Sequence, residues 1–521
     1  MSSRLVLAAA ALLVVSRLPS LVQPMGADQS LYAYVGERIR AGDLPYRDAW
    51  DQKPPAVHFL YASLRTVWAG DAIVPFADLA AAAAVALLLY KLGNAVGPAG
   101  TGAAGALIFL FLSNPAFTRI AGIRLRSQCE TFIALAVTAA FVCLLKDRKA
   151  LNGAATLAAG VLFGLAFAFK YNAAVFAIAG VAALSLFSRV SFGVLLRLMI
   201  GFSLPPVAFA AIFMAGRSLQ LLYDATISYN LEYSGETYAG IFDVVRYLVT
   251  FPIDRARADA LWTVGGAGCI LLLAGMRGDR ARLFPVLWVA AACASIAING
   301  SRSLPQYFVQ ANPALALAAA WGGVLAWQWM RAALDGSRAR YAAAAAVVVV
   351  SIGVWRVNQF PKLLEQTLFD ARYAFGSMSR DAYLARYDDD RKYSALAAAS
   401  LGEYLRSHSA PADRVYVFGF TCAAYVEAER TSASRFFWSR PVIAGFHADR
   451  PGYGVEGLLA ELDLNRPSVI ALQQRDWAPD VDDSATFFMS SPRLVSWLQT
   501  HYVKADGPEG FDVWLRRNGA V

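Results

Sequence analysis

The chain has 521 residues, of which 57% are hydrophobic and only 16% charged, with a formal net charge of +9. Soluble domains are about 45–50% apolar and about 25% charged, so this composition excludes a disordered chain or a small secreted scaffold and argues against one large soluble enzyme. The five cysteines form no Cys-x-x-Cys pair and the four histidines show no ligand spacing, which removes a disulfide framework and a zinc knuckle.

A helix crossing a bilayer needs about 20 apolar residues. Eleven such runs are read in chain order, at 4–23, 72–91, 98–117, 129–145, 151–168, 171–187, 191–214, 259–275, 282–298, 307–328 and 341–356. The first is read as a retained anchor, because it lacks a small-x-small cleavage site and ten more spans follow. Residues 55–69 are apolar but short and are interrupted by His58 and Arg65, so they are placed as a surface or re-entrant helix. With that placement the loops on the side of Arg4 carry Lys91, Lys146, Arg148, Lys149, Arg189, Arg277, Arg280, Arg282, Arg331, Arg338 and Arg340. The short loops opposite carry only Arg119, Arg124, Arg126, Lys170 and Arg302. The positive-inside rule then sets the N-terminus in the cytoplasm. Orientation in the membrane, rather than nucleic acid, accounts for the excess of basic residues. Residues 24–71, 215–258 and 357–521 fall on the outer face.

The tail from 357 onward is rich in charge and holds no span. Helices are expected at 393–405, 454–465 and 488–499, and strands at 414–418, 467–472, 501–504 and 511–515, which makes a small extracytoplasmic α/β domain. Gly419-Phe420-Thr421 lacks the glycine spacing of a dinucleotide site. Phe436, Phe437 and Trp438 are read as core, or as contact with the membrane body. The outer loop 215–258 carries Tyr223, Asp224, Tyr229, Asn230 and Tyr233, which suit an interface belt better than a sugar platform.

The first outer loop is the richest in chemistry. Asp28 opens a short helix in which Leu31, Tyr34, Val35 and Ile39 recur with helical spacing, so the helix is expected in the interface plane with its aromatics toward lipid. Asp28 reads either as a helix cap or as a functional carboxylate. Gly42 ends this helix, a turn follows at Pro45-Tyr46-Arg47-Asp48, and Lys53 stands directly before Pro54-Pro55. Asp28, Asp43, Asp48 and Asp51 thus gather with Arg38, Arg40, Arg47 and Lys53 above the bilayer. Cations there suit an anionic head group, and a carboxylate beside them suits a general base.

These residues resemble the first outer loop of the polyprenyl-phosphate-sugar-dependent membrane glycosyltransferases, the GT-C superfamily that includes protein O-mannosyltransferases and lipid A aminoarabinose transferases. The match runs through Asp28, Gly42-x-x-Pro45-Tyr46-x-Asp48 and Lys53-Pro54-Pro55. Glu130 resembles the acid that such proteins carry at the fourth span, and the stretch from Ser301 to Pro313, with Arg302 and Tyr307, resembles another of their outer loops. The likeness covers about residues 5–330. Two positions depart from the pattern: Gln29 stands where a Glu is usual, and Gln306 where a His is frequent.

The resemblance implies an inverting glycosyltransferase of the bacterial inner membrane, with a transmembrane domain at 1–356 and a periplasmic domain at 357–521. It would move sugar from a polyprenyl-phosphate donor to a lipid, glycan or protein acceptor. Asp28 carries over as catalytic base and Lys53 as the cation facing the donor phosphate, with Arg302 and then Arg47 beside it, because arginine and lysine suit phosphate in different ways. Asp48, Glu130, Lys170, Tyr307 and Tyr46 complete the substrate-binding set. For Glu130, orienting a substrate group and acting as a helix-end acid stay equally open. So do phosphate positioning and snorkelling for Lys170. Asp28 and Asp48 leave a shared divalent metal undecided. The rival reading is a glycolipid transporter or flippase, which charge pairs along the spans and inverted repeats would mark; the spans show few charges, Asp78 among them, and no repeat.

Overall fold

The computed structural model describes residues 3–118, 122–146, 153–235, 237–275, 279–334, 336–358, 361–388, 393–476 and 483–517. Arg119, Arg148, Lys149 and Arg277, used above to orient the loops, lie outside the described residues. Among the described residues five helices are long and apolar enough to cross a membrane: Arg4–Val22, Ile73–Val96, Phe192–Ala215, Arg280–Ile298 and Pro305–Ala333. Thr101–Leu112, Cys129–Leu145, Gly153–Phe169, Tyr171–Phe187 and Ala260–Ala274 are shorter apolar helices, and the helix Gly336–Asn358 covers the last expected run. Small residues let these helices touch along their backbones. A Cβ added to Gly201 would stand 2.3 Å from the Leu157 carbonyl oxygen on the neighbouring helix. Asp78, the charge noted within a span, accepts the Ser127 N–H at 3.0 Å and lies 3.8 Å from Arg126. It ties two segments together.

The segment after Pro55 forms the helix Ala56–Val67. Twelve residues reach only about 18 Å, short of the roughly 30 Å core. Its polar side chains face other protein groups. His58 is fully buried with Nε2 3.2 Å from Asp51 Oδ2, and Arg65 pairs with Glu37 and with Asp71.

The helix that carries Asp28, Ala27–Arg40, is not lipid-facing as the periodicity suggested. Leu31, Tyr32, Ala33, Tyr34 and Val35 are buried. One side packs on Ala56–Val67 so tightly that a Cβ on Gly36 would meet the Ala62 nitrogen at 2.8 Å. The other side is covered by the C-terminal domain. Tyr34 Oη accepts the Ser432 N–H at 2.9 Å, and its ring lies 4.9 Å from Tyr425 and 4.5 Å from Phe437. Amphipathic spacing marks a face to be buried without saying what buries it. Gly36→Ala is expected to cost about 1–3 kcal/mol by overpacking at this backbone contact, read as a lower unfolding midpoint in detergent.

The C-terminal domain holds a five-stranded sheet made of β1 (Arg414–Phe418), β2 (Thr431–Ser432), β3 (Val469–Gln473), β4 (Tyr502–Ala505) and β5 (Phe511–Arg516). Their order is β2-β1-β3-β5-β4. The pairs β1–β2 and β1–β3 are parallel, while β3–β5 and β4–β5 are antiparallel. The short β2 was not expected. The helix expected at 488–499 is two helices, Ser484–Ser490 and Pro492–His501, broken where Ser491 is extended ahead of Pro492. The helix Pro361–Ala374 was also unexpected, and Gln23 donates across to its Asp370 at 2.7 Å.

Candidate active site

The first loop folds by local rules that place its functional side chains. Gly26, not Asp28, takes the N-cap position of Ala27–Arg40, so Asp28 lies in the first turn and is free of a capping role. At the other end Gly42 has φ +97°, its N–H donates to the Ile39 carbonyl, and the Asp43 N–H donates to the Arg38 carbonyl, both at 3.0 Å. This Schellman pattern needs a left-handed residue, which glycine supplies. Tyr46 is also left-handed, at φ 68°, although it is not glycine. The strain is held by full burial, by its N–H donating to the Ala49 carbonyl at 2.7 Å, and by its hydroxyl donating to the Lys53 carbonyl at 2.8 Å. Tyr46 therefore shapes the backbone that presents Lys53.

Most of the loop's charges are spent in pairs. Arg38 pairs with Asp43, Arg40 with Glu37 at 2.5 Å, and Arg47 with Asp48 at 2.7 Å. Asp28, Asp51 and Lys53 instead face a chamber of about 750 Å³. Arg302, Gln306 and Tyr307 join them from the segment after residue 300, and Arg124, Gln128 and Tyr233 complete that wall. Phe420, Trp438 and Arg440 reach in from the C-terminal domain. Trp438 is fixed there by donating from Nε1 to the Trp50 carbonyl at 3.0 Å.

Below the chamber lies a second, more apolar cavity of about 560 Å³, walled by Phe167, Pro206, Phe209, Leu222 and Ile227. Gln52, Lys53, Tyr233 and Tyr307 line both spaces and so stand at their junction. The two spaces form a polar chamber that meets a more apolar cavity at these four residues.

The electrostatics centre on two groups. Burial pushes the Asp28 carboxyl up, and the nearby charge of Lys53 opposes this without cancelling it. For Lys53 burial alone would lower the ammonium, but Asp28, Tyr307 and Asp51 together hold it above its ordinary value. Among the described residues Lys53 has no ion-pair partner within 4 Å; Asp28 and Asp51 act on it through space. Gln306 donates from Nε2 to Asp28 Oδ2 at 3.2 Å. The position where histidine is frequent in the resembled proteins thus orients this carboxylate with a neutral amide. A donated hydrogen bond favours the charged form. Gln306→Leu should therefore raise the Asp28 pKa further, and in a pH–rate profile the acid limb should move to higher pH with the alkaline side unchanged.

The other expected site residues divide clearly. Arg302 lines the chamber, donates to the Tyr233 carbonyl at 2.8 Å and lies 3.4 Å from that ring's centre. Glu130 is 1% exposed and pairs with Lys170 at 2.6 Å, while the Lys170 ammonium stands 4.3 Å from the Tyr307 ring centre. Glu130 therefore acts from behind, as an anchor for Lys170, which lines the apolar cavity. Arg47, expected at the donor phosphate, and Asp48, expected at the substrate, bond to each other outside both cavities, and Asp48 also accepts the Leu44 N–H at 2.8 Å, so this pair builds the turn. Asp28 and Asp48 consequently do not form a shared metal site. Among the described residues no three His, Cys, Asp or Glu side chains converge on one point. The 215–258 patch serves both surfaces rather than a plain belt. Tyr229 packs on Trp50, Asn230 donates to the Gln52 carbonyl at 2.7 Å, and Tyr453 of the C-terminal domain donates to Asp224 at 3.3 Å.

This arrangement can be set beside known structures. ArnT from Cupriavidus metallidurans, solved bound to undecaprenyl phosphate, matches with a TM-score of 0.53 at 13% identity, covering 100% of this chain and 99% of its own. The Archaeoglobus fulgidus oligosaccharyltransferase tethered to an acceptor peptide matches with a TM-score of 0.50 at 12% identity, covering 99% of this chain and 74% of its own. Its apo form gives 0.51 at 11% identity, over 91% of this chain and 70% of its own. The chain shares the fold of these structures. No family model and no curated protein sequence matches the chain. At these identities the likeness is one of fold, so the chemistry has to be argued from the site.

Asp51, Gln128, Phe420, Trp438 and Arg440 were not among the expected site residues. Asp51 had a local signal, two residues before Lys53. Phe420, Trp438 and Arg440 had none, because only the docking of the sheet domain on the first loop brings them near Asp28.

Proposed function

We propose that this protein is an inverting glycosyltransferase that moves a sugar from a polyprenyl-phosphate donor to a hydroxyl or phosphate of an extracytoplasmic lipid, glycan or protein. The observation that carries this reading is the junction of the polar chamber and the apolar cavity at Lys53 and Tyr307, with Asp28 facing the same chamber. The prenyl chain occupies the apolar cavity and the phosphate rests against Lys53, with Arg302 across the chamber. Asp28 takes the proton of the acceptor. The acceptor oxygen bonds to the anomeric carbon as its bond to the phosphate oxygen breaks, and the electron pair leaves on the phosphate, where the fixed cations meet the growing charge.

Inversion follows from a single attacking step. Asp51 is the second carboxylate in the chamber, but Oδ1 accepts the Gln52 N–H at 2.7 Å and Oδ2 is turned to His58. That leaves Asp28 as the carboxylate for a base, with no paired nucleophile. In this reading the eleven apolar runs span a bacterial inner membrane, the N-terminus is cytoplasmic and residues 357–521 are periplasmic.

The test offers purified protein a panel of radiolabelled polyprenyl-phosphate sugars with a membrane extract as acceptor source. Label moving to an acceptor with wild type and not with Asp28→Asn supports the reading, and the anomeric configuration of the product reports inversion. Transfer that survives Asp28→Asn removes the base, and failure to bind any donor removes the class.

A further inference from the structure

A third cavity, of about 310 Å³, lies on the opposite face of the short helix Pro305–Ala311 from the chamber. Gln306 and Tyr307 point to the chamber, and Pro305, Phe308 and Val309 line this cavity instead. Its floor is apolar, built from Ala81, Ala82, Val85, Phe109 and Ala134 of three membrane helices. Its charged side chains are Arg17 and Arg255, with Asp78 near the first and Asp259 beside the second.

Both arginines have a donor left over. Arg17 is 4% exposed and uses one terminal nitrogen on the Leu110 carbonyl at 2.6 Å and the Ser113 hydroxyl at 3.1 Å, while its Nε has no acceptor among the described residues. Arg255 bonds Asp259 at 3.2 Å and stands 4.5 Å from the Phe308 ring centre, and its buried Nε likewise has no acceptor. Leaving such a donor unmet is costly, and an anion between the two arginines would meet both. Arg255 belongs to the helix Ile241–Ala258, on which Phe242, Val245, Val249 and Ile253 are exposed at intervals of three and four residues. That stripe suits a helix lying in the lipid interface, so the cavity opens beside lipid rather than toward the C-terminal domain.

We infer that this cavity is a second amphiphile site, separate from the donor site, for an anionic lipid whose chain lies on the alanine floor and whose head group bridges Arg17 and Arg255. The inference stands on this cavity alone and does not require the proposed transfer.

The probe is dodecyl phosphate, added to protein in dodecyl maltoside so that probe and detergent share a chain and differ in head-group charge, with bound copies counted by native mass spectrometry. Wild type is expected to hold two. Arg255→Gln, and independently Ala82→Phe, which fills the floor, should each lose one copy or weaken it by about tenfold or more, while binding of undecaprenyl phosphate is unchanged. Lys53→Met should lose the other copy and weaken undecaprenyl phosphate. Unchanged binding in both Arg255→Gln and Ala82→Phe overturns the second site. Loss in those two with no effect of Lys53→Met keeps the second site and overturns the donor site. If the occupant is the acceptor, Arg255→Gln raises the acceptor KM and leaves the donor KM alone; if it is a lipid of the surrounding leaflet, both KM values stay as in wild type.

Discussion

Asp28→Asn should lower kcat by roughly a hundred- to ten-thousand-fold, the range of a lost general base, with donor affinity changed little. The amide keeps the size of the carboxylate and can still meet Gln306, so folding is not the expected cause of the loss. Single-turnover transfer measured beside undecaprenyl phosphate binding separates the two. In the wild type the base works only when ionised. Burial places its folded pKa above the ordinary 3.8, so the rate should fall as pH drops through that raised value and recover above it. A wild-type acid limb at or below 3.8 would contradict the assignment.

Lys53→Met should be the second large effect, about a hundred- to a thousand-fold in kcat, the scale for removing one preorganised donor from a developing anion. It should also weaken binding of the polyprenyl phosphate product. A further consequence separates Lys53 from a merely structural lysine. Its charge is the largest influence opposing the burial of Asp28. Removing it should raise the Asp28 pKa again and move the acid limb of the residual activity upward. Lys53→Arg keeps the charge, so it should leave the acid limb near its wild-type position while costing rate through the different reach and planar geometry of arginine. The pH–rate profiles of the two variants therefore test the charge independently of its contacts.

Much of the fold was legible because each feature has a local cause. Apolar runs flanked by arginine and lysine read as membrane helices. Gly42, Pro45 and the Pro54-Pro55 pair read as chain turns, and the strands from Arg414 to Arg516 alternate with helices as expected. Elsewhere a local pattern has two physical outcomes, and only packing chooses between them. The apolar face of Ala27–Arg40 could meet lipid or protein, and it meets Tyr425 and Phe437. Charges clustered in one loop could face a substrate or each other, and Arg47 with Asp48 face each other.

The sequence by itself determined a multi-pass membrane protein with a C-terminal sheet domain and a first loop holding Asp28 and Lys53, because hydrophobic length, charge placement and turn chemistry act over a few residues. The tertiary structure alone decided which charges share the chamber, that Gln306 holds Asp28, and that Trp438 closes the wall. Each joins groups hundreds of residues apart, as Gln306 and Asp28 are at 278 and Trp438 and Trp50 at 388, and no short-range rule links such distant positions before the chain has packed.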